Sequence, residues 1–471
     1  MQYSAEIPMF PATDVLVVGS GPSGLAAAIA AARNGASVRL VERFGFLGGN
    51  LTAGLVGPCM TSFSLDGKTQ LIRGIFDEFV RRMEADGGAV HPSKTRAGSA
   101  YAGFMKFGHD AVTPFDPEVA KSTALAMCLE SGVQLQLHTF VTDVLREGNV
   151  VTGVVGASKG GLAAIPAAVV VDCSGDGDIA AWAGAPFEVG RASDGKVQPM
   201  TLFFRVADVD DDEVERYQRE HPDEAFPFES VVRRAKAEGA FRLPRRGIQL
   251  FKTMEPGVWR INTTRVLGLD GTNVEDLTRG EIQAREQVSE LLRFFRDRVP
   301  GMRACRLLDT AATIGVRESR RIVGNYTVSL DDLVRGRHFD DVIAVAGYPV
   351  DIHSPTDGNG PFDDGVPVTA NAYEIPYSAL VPRGLDGVLV SGRCISATHE
   401  ALAAIRVMPP SFAMGQAAGT AAAIAVRNAV SPREVSVAEL QHALADQGAY
   451  LGERFGLAPT GEAEPSVEVP V

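Results

Sequence analysis

The sequence predicts an α/β protein in which helices cover a parallel sheet, joined to a second domain of mixed strands and helices. Short apolar runs such as residues 14–18 lack polar alternation, as is typical of parallel strands buried on both faces, and alanine-rich helical segments follow them. The middle of the chain is richer in aromatic and β-branched residues, which predicts a separate sheet. Because single cores stop growing near ~250–300 residues, 471 residues indicate about two domains.

A glycine-rich loop joins the first predicted strand to the first predicted helix. Gly19, Gly21 and Gly24 have the spacing G-x-G-x-x-G and stand between that strand and an alanine-rich helix. In such a loop the first glycine permits the tight turn, the second lets the backbone approach a pyrophosphate, and the third brings helix against strand. Glu42 ends the next predicted strand, residues 37–42, where its carboxylate can bond ribose hydroxyls. The unit predicts a Rossmann-type dinucleotide site at a helix N-terminus.

Two later segments repeat the pattern of an apolar strand followed by glycine. Residues 169–172 lead through a glycine loop into a predicted helix at 178–183, and residues 387–391 form another short strand. Since distant pieces would share one sheet, we expect a discontinuous dinucleotide-binding domain made of residues 12–65, 115–184 and 373–430. The expected remainder is a substrate domain at 185–372, an insertion at 66–114, and a C-terminal helix with a disordered, proline- and glutamate-rich tail at 431–471.

The second domain contains two predicted strands and one long helix. Residues 198–206 and 258–264 carry the aromatic and β-branched side chains that strands favour. Thr278 and Glu281 have the spacing of a capping box, which predicts that the helix begins there and ends before Pro300. Its predicted apolar face consists of Ile282, Val288, Leu291, Leu292 and Phe295.

Charge and hydropathy exclude several classes of partner. The 58 acidic residues exceed the 45 basic ones by 13, a balance that repels phosphate backbones and anionic lipids. The first eleven residues carry no basic group or apolar core of a secretory signal, and glycines break the apolar stretch 15–32. We therefore expect a cytoplasmic protein that has no membrane span and binds no nucleic acid.

The cysteines are widely spaced and form no C-x-x-C pair, and no set of side chains has the spacing of metal ligands. We expect reduced, buried thiols, no redox disulfide and no bound metal. The cysteines are Cys59, Cys128, Cys173, Cys305 and Cys394.

The chain after Glu42 carries a second glycine element. Arg43, Gly48, Gly49 and Thr52 match the pattern E-R-x-x-x-x-G-G-x-x-T, which resembles the element of FAD proteins with the glutathione-reductase-type fold. Further matching stretches are 171–178, 314–324, 348–353, 373–382, 390–399 and 409–419. Together they make residues 13–450 resemble the FAD-dependent oxidoreductase family that has a split FAD domain.

The resemblance implies non-covalently bound FAD. It also implies that the helix started by Pro409 and Pro410 points its N-terminus at the flavin N1/O2 edge, where free amides stabilise negative charge. Many relatives have Gly-Asp where this chain has Gly392 and Arg393, so we expect Arg393 to contact phosphate instead. The residues expected at the cofactor are Gly19, Gly21, Pro22, Ser23, Gly24, Glu42, Arg43, Gly48, Gly49, Asn50, Thr52, Val141, Ser174, Gly175, Gly392, Arg393, Pro410 and Ser411.

Four side chains are candidates for the chemistry beside the flavin. His399 follows the strand that should run toward the flavin, and an imidazole can take a proton as hydride leaves. Arg406 precedes the proline-started helix, and Asp351 and His353 share one face of an extended segment, as a relay or an ion pair. Arg317 can hold a substrate carboxylate or form an ordinary salt bridge. We expect catalysis from His399, Arg406, His353 and Arg317.

The predicted reaction is hydride transfer between a small organic substrate and the flavin. A thiol-disulfide reductase is excluded because it needs a second nucleotide domain and a C-x-x-C pair. The partner that completes the flavin cycle stays open among oxygen, a quinone, NAD(P)H and a protein. A flavin-dependent hydroxylase is the alternative enzyme, and an RNA-modifying or non-catalytic flavoprotein is the alternative from another class, which the acidic charge disfavours.

Overall fold

The computed structural model describes residues 6–356 and 367–455. Its strands are β1 (Thr13–Val18), β2 (Val38–Val41), β3 (Gln134–Gln136), β4 (Phe140–Glu147), β5 (Val150–Ser158), β6 (Gly161–Asp172), β7 (Phe187–Val189), β8 (Phe204–Ala207), β9 (Leu250–Lys252), β10 (Trp259–Ile261), β11 (Arg306–Thr310), β12 (Arg320–Ile322), β13 (Val342–Ala346), β14 (Tyr373–Pro376) and β15 (Val388–Val390). Its α-helices are α1 (Pro22–Arg33), α2 (Ile75–Ala85), α3 (Pro117–Glu130), α4 (Asp178–Ala183), α5 (Asp211–Glu220), α6 (Glu229–Ala237), α7 (Val274–Arg298), α8 (Leu330–Arg335), α9 (His399–Ile405), α10 (Met408–Asn428) and α11 (Val437–Asp446). The predicted tail at 459–471 lies outside the described residues, and α11 is the predicted C-terminal helix.

The main sheet confirms the predicted α/β class. Its parallel part has the order β3-β2-β1-β6-β15. Val15 lies opposite Val38 on one side and Val169 on the other, and Val388 lies opposite Val170. Distant segments of the chain therefore share one sheet, and their carboxyl ends meet at the same edge.

An antiparallel meander extends this sheet and was not predicted. β6 pairs first with β5, which pairs with β4, and only its last six residues join the parallel strands β1 and β15. Burial follows this division, because the last four residues of β6 are all buried whereas its first half mixes exposed and buried positions. The predicted strand at 169–172 is the part of β6 that is buried on both faces.

Helices α1 and α10 pack together at unusually short range across glycines. A Cβ atom at Gly415 would lie 2.0 Å from the carbonyl oxygen of Ser23, and one at Gly419 would lie 2.0 Å from that of Ala27. These distances leave no room for a methyl group, since the atoms in the way belong to the backbone of α1. The close contact brings the start of α10 next to the glycine loop at the start of α1.

We expect Gly419→Ala to lower the free energy of unfolding by about 1–3 kcal/mol or more, because overpacking against backbone cannot relax by a change of rotamer. Gly280→Ala in α7 is the matched control. There the new Cβ would meet only side-chain ends, none nearer than 3.3 Å, and alanine has the higher helix propensity. Thermal and urea unfolding of both variants checks the prediction, and equal stabilities would contradict it.

The second region is an antiparallel sheet covered by α7. The strand order is β11-β8-β10-β9, and Phe204 of this sheet stacks on Phe295 of the helix with 6.4 Å between ring centroids. Val288 and Leu291 are buried in the same core. The predicted strand at 198–206 is shorter as found, because only its end belongs to β8. The predicted mixed sheet and helix region is confirmed.

The predicted start and face of α7 are wrong in part. The helix begins at Val274, where the Asn273 side chain accepts hydrogen bonds from two backbone amides. Thr278 instead donates to the carbonyl of Val274 one turn earlier, and Glu281 accepts from the amide of Ile314. Ile282 is 54% exposed, so it does not belong to the buried face. An asparagine cap five residues upstream of Thr278 starts the helix instead of the capping box.

Side chains outside the main sheet complete its core. Phe76 and Phe79 of α2, which lies in the predicted insertion, contact the ring of Phe412 in α10 at centroid distances of 5.3 and 5.4 Å. Strands β13 and β14 pair beside the same helix and contribute to the same core. Within residues 6–356 and 367–455, no helix has both the length and the apolar run needed to cross a bilayer.

Candidate functional site

One cavity of about 2130 Å³, counting its open mouth, runs along the carboxyl edge of the main sheet. Val18, Val41 and Ser391 line it where β1, β2 and β15 end. The rest of its lining comes from residues just before β8 and just after β10 and from residues near Ile314 and Asp351. Ligands of open α/β sheets bind beyond the carboxyl ends of the strands, so the position is that of a binding site.

The glycine loop confines the chain but leaves space for a ligand. Gly19 has φ of +89°, and a Cβ there would lie 2.6 Å from the carbonyl oxygen of Cys173. At Gly24 a Cβ would lie 1.7 Å from the carbonyl oxygen of Gly19. A Cβ at Gly21 would meet no atom within 4 Å, although this residue lines the cavity. Gly19 and Gly24 therefore serve the fold, whereas the open side of Gly21 faces ligand space.

The start of α1 presents unpaired backbone donors to the cavity. Gly21 caps this helix without a side-chain hydrogen bond, Pro22 occupies its first turn, and no acidic residue lies there. The first amides of a helix have no partner within it and carry partial positive charge. Ser23 also holds this end against the sheet, since its hydroxyl lies 2.6 Å from that of Ser391. This arrangement suits a pyrophosphate.

Glu42 lies at the edge of the same loop and is 5% exposed. Its Oε2 accepts hydrogen bonds from the amide of Ser20 at 2.9 Å and from its hydroxyl at 2.6 Å, and its Oε1 accepts from the amide of Phe44 at 2.9 Å. A carboxylate has about four acceptor sites, so capacity remains for one ribose hydroxyl. The bonds already present hold the carboxylate in the lining of the cavity.

The second glycine element packs directly against the first. Gly49 has φ of +51°, and a Cβ there would lie 2.7 Å from Cα of Gly21. Gly48 has φ of +112°, and Thr52 donates to the carbonyl of Leu47 at 2.7 Å, which closes the loop. The two glycine loops therefore form one surface.

The loop after β6 contains a buried carboxylate and an ion pair. Asp172 is fully buried, which raises its pKa, and it accepts hydrogen bonds from the amide and hydroxyl of Ser174. Arg393 donates to Asp176 at 2.9 Å and to the hydroxyl of Ser319 at 2.7 Å. The guanidinium group of Arg393 thus lines the cavity with one carboxylate already beside it.

Helix α10 starts at the cavity in the same manner as α1. Val407 precedes it without a side-chain cap, prolines occupy its first turn, and no acidic residue lies there. Met408 and Ser411 line the cavity, whereas Pro410 is buried behind them. The predicted proline-started helix is therefore present, one residue before Pro409, and its unpaired amides lie at the cavity.

Most predicted site residues come together in this cavity. Those that line it are Gly19, Gly21, Pro22, Ser23, Glu42, Arg43, Gly49, Asn50, Val141, Ser174, Gly175, Gly392, Arg393, Ser411, Arg317, His353 and Arg406. Those that the described lining does not include are Gly24, Gly48, Thr52, Pro410 and His399.

His399 is buried behind the cavity wall in an ion pair. It is 3% exposed, and its Nδ1 lies 2.8 Å from a carboxylate oxygen of Glu318, which is fully buried. Glu318 also pairs with Arg321 and accepts from the amide of Gln198. This network ties α9 to the loop before β12. The sequence placed His399 correctly after β15, but α9 buries its ring instead of directing it into the cavity.

A second polar group lies at the far end of the cavity. The hydroxyl of Tyr348 donates to Oδ2 of Asp351 at 3.0 Å, and Nε2 of His353 lies 3.3 Å from Oδ1. Burial, and then the nearby Arg317, hold the pKa of His353 well below its usual range. Burial opposes ionisation of Asp351, but His353 and the neighbouring guanidinium groups outweigh it and lower its pKa. The pair is thus a neutral imidazole beside a carboxylate.

The imidazole of His353 has one nitrogen available. Placing Nε2 beside the carboxylate favours the tautomer that carries its proton there. The other nitrogen, Nδ1, is buried and has no hydrogen-bond partner among the described residues. His353 therefore contributes to the cavity lining a neutral imidazole with one nitrogen unpaired within the described residues.

His109 is a lining residue that the sequence analysis missed. Its Nδ1 donates to the carbonyl of Ala102 at 2.9 Å, which leaves Nε2 as an acceptor, and burial lowers its pKa. Its ring stacks on Phe251 with 5.9 Å between centroids. His109 lies in the predicted insertion, where no motif in the sequence marks it, so only the fold brings it to the cavity.

The cysteines are all buried, as predicted. Burial raises the pKa of Cys59, Cys128 and Cys173 to about 12. Thiolates are the reactive form, so we expect iodoacetamide to leave the native protein unlabelled at neutral pH and to label five thiols after denaturation. Intact-protein mass measured before and after unfolding tests this. Rapid labelling of the native protein would contradict it.

Comparison with known proteins places this site in a family. No curated protein matches the sequence significantly. The fold is similar to that of a geranylgeranyl bacteriochlorophyll reductase-like protein from Thermoplasma acidophilum, with 15% identity, TM-score 0.45, and 97% and 88% of the two chains covered.

Two further solved structures are similar at the same level. The p-nitrophenol 4-monooxygenase PnpA from Pseudomonas putida DLL-E4 has 13% identity, TM-score 0.46 and coverage of 94% of this chain and 88% of its own. The anhydrotetracycline hydroxylase OxyS from Streptomyces rimosus has 14% identity, TM-score 0.41 and coverage of 94% and 68%. The family model described as FAD dependent oxidoreductase matches residues 14–444. The chain therefore belongs to the FAD-dependent oxidoreductase family, and its cofactor is FAD.

Proposed function

We propose that this enzyme oxidises a small organic alcohol or amine by transferring a hydride to FAD. The observation that carries the proposal is one continuous cavity, which joins the open side of Gly21 to the pair formed by Asp351 and His353. A dinucleotide-binding end and a proton-accepting end in a single cavity suit a reaction that removes a hydride and a proton from one substrate.

The residues at the first end fit FAD. The open side of Gly21 and the uncapped start of α1 would hold the pyrophosphate, and Glu42 would bind a ribose hydroxyl. The uncapped start of α10 would lie near the flavin ring, where its amides favour negative charge. When bound, FAD supplies a two-electron acceptor that takes hydride at N5.

The residues at the second end would accept the proton. As the C–H bond of the substrate breaks and its electron pair leaves with the hydride, the O–H or N–H proton passes to Nδ1 of His353, and a C=O or C=N bond forms. Asp351 orients the ring through Nε2 and stabilises the imidazolium that results, as carboxylates do in other acid–base pairs. The lowered pKa of His353 keeps it unprotonated before the reaction.

The test is anaerobic mixing of the oxidised holoenzyme with a panel of alcohols and amines while the flavin band near about 450 nm is followed. We expect at least one compound to bleach the band, with stoichiometric carbonyl or imine product. Released cofactor should be FAD by mass.

A flavin-dependent hydroxylase would give a different result in this assay. If no compound bleaches the band, but NADPH and oxygen together convert an aromatic substrate to a hydroxylated product, the enzyme is a hydroxylase and the proposal fails. Arg298→Met, a change at an exposed ion pair with Glu238 far along α7, is the control for general effects of substitution.

A further inference from the structure

Arg317 lies in the cavity lining with only neutral partners. It is 9% exposed, and its guanidinium group donates to the carbonyl of Pro199, the hydroxyl of Thr201 and, at 3.3 Å, the amide oxygen of Asn262. No carboxylate among the described residues lies within 4.0 Å of it. A buried cation without a counter-ion is costly, and its burial, together with Arg406, lowers the pKa of Arg317 to about 9.

Arg406 lies in the same lining and likewise has no carboxylate within 4.0 Å among the described residues. It donates to Gln198 at 3.3 Å and to the carbonyl of Asp351 at 3.4 Å, both neutral oxygens at long range. Its Nε is buried without a partner in the described part of the chain. Neither of these long contacts supplies a counter-ion.

The charges near these two groups leave an excess of positive charge. Asp351 is the carboxylate that stabilises both, but it already contacts Tyr348 and His353. Arg245, close to Arg317, donates only to backbone carbonyls and likewise has no carboxylate within 4.0 Å in residues 6–356 and 367–455. The described residues therefore place no carboxylate within 4.0 Å of Arg317, Arg406 or Arg245.

The cavity lining that contains the two arginines also carries several apolar side chains, beside polar ones such as Thr201 and Asn262. Phe203, Phe251, Leu277, Ile314 and Val316 line this part of the cavity. A ligand that fits both surfaces has an anionic end and an apolar body. A planar carboxylate matches the fork of a guanidinium group, and a hydrocarbon body matches the apolar side chains, whereas a phosphate on a polar body would match only the charge.

We propose that the substrate carries a carboxylate, which Arg317 and Arg406 bind, on a hydrocarbon body that packs against these apolar side chains. This inference rests on the proposed function, because it names the substrate class for the same cavity. Binding there would bring the oxidisable carbon near His353 and would supply the counter-ion that the described residues lack.

The test uses the oxidised holoenzyme and simple probes. Benzoate and phenylacetate are titrated against their neutral amides and against inorganic phosphate, while changes in the flavin spectrum report binding. We expect saturable binding of the carboxylates, with weaker or absent binding of amides and phosphate. In Arg317→Met the Kd for carboxylates should rise by about 30-fold or more, the usual effect of removing one partner of a buried charge pair.

Controls separate this effect from damage to the protein. Arg298→Met removes an exposed guanidinium group and should bind the probes as the unchanged protein does. Arg317→Lys keeps the charge without the planar guanidinium group. Its Kd for carboxylates should lie between the values for Arg298→Met and Arg317→Met. If Arg317→Met loses FAD, Arg406→Met replaces it, and a rise in Kd is expected there too.

Equal Kd values for acid and amide, tighter binding of phosphate, an unchanged Kd in the arginine variants, or no spectral change with any probe would overturn the inference. These outcomes are distinct from failure of the proposed function. Neutral alcohols that bleach the flavin would preserve the function while refuting the carboxylate. If carboxylates bind through Arg317 but no alcohol or amine reduces the flavin, the carboxylate site stands and the proposed oxidation fails.

Discussion

Gly21→Val is expected to lower the affinity for FAD by about 10–100-fold while the apoprotein keeps its fold. The new side chain would extend into the space that now contains no atom within 4 Å of the Cβ position, so the protein itself is not crowded. The backbone there has φ of −62°, which valine adopts readily. The side chain would instead block approach of the pyrophosphate. Absorbance at the flavin band and titration of apoprotein with FAD measure the loss.

Two other glycines serve as controls for this experiment. Gly160→Val changes an exposed turn between β5 and β6, where the nearest atom to a Cβ lies at 3.7 Å, and should leave the FAD content unchanged. Gly24→Ala places a Cβ 1.7 Å from a backbone oxygen and should destabilise the fold itself. Circular dichroism shows whether a variant has lost its fold or only its bound FAD. A Gly21→Val protein that is fully loaded with FAD would refute the assignment of this loop.

His353→Asn is expected to slow substrate-dependent reduction of the flavin by about 10²–10⁴-fold, the usual range for losing a general base. Asparagine retains polarity and approximate size but cannot take up the proton. FAD should remain bound, because the contacts of His353 are with Gln198 and Asp351 and not with the glycine loop. Stopped-flow measurement of the reductive step, after the FAD content has been checked, gives the rate.

Two histidine variants show whether the effect is specific. His109→Asn tests the second imidazole in the lining, and we expect a smaller effect on the rate because that ring forms no ion pair with a carboxylate among the described residues, although the charge of Asp351 acts on it. His399→Asn breaks the buried pair with Glu318, and we expect it to lower stability more than the rate. A normal rate in His353→Asn together with a slow rate in His399→Asn would return the role of base to His399, as its position in the sequence suggested.

Local patterns predicted the cofactor half of the molecule well. The apolar run before Gly19 is β1, the alanine-rich segment after it is α1, and residues 178–183 are helix α4 as predicted. These elements depend on periodicity, proline and glycine positions, and helix-start chemistry, which act over a few residues. Neighbouring residues in the sequence contain that information.

Predictions failed where two local signals competed or where neighbours in space decided the outcome. Asn273 and the pair Thr278 and Glu281 are both acceptable helix starts, and the helix begins directly after Asn273, whose side chain accepts hydrogen bonds from two backbone amides. The catalytic role that we predicted for His399 stays a prediction, and the structure adds that α9 presents its ring to Glu318. Periodicity does not reveal which partner a buried polar group will find.

The sequence of this chain determined its family and the glycine loops that line the cavity, because the spacing of glycines along a strand–loop–helix unit is a local property. The sequence named Arg317, His353 and Arg406 as candidates, but only the tertiary structure shows how they are arranged in the cavity. Arg317, Asp351 and Arg406 are far apart in the sequence, and His109 comes from a segment without a motif; packing of the second sheet and of α10 brings them to one surface. Two properties of this site depend on distances and burial, which the spacing of residues along the chain does not encode. They are the lack of a carboxylate within 4.0 Å of Arg317 and Arg406 among the described residues, and the nitrogen of His353 that has no partner there.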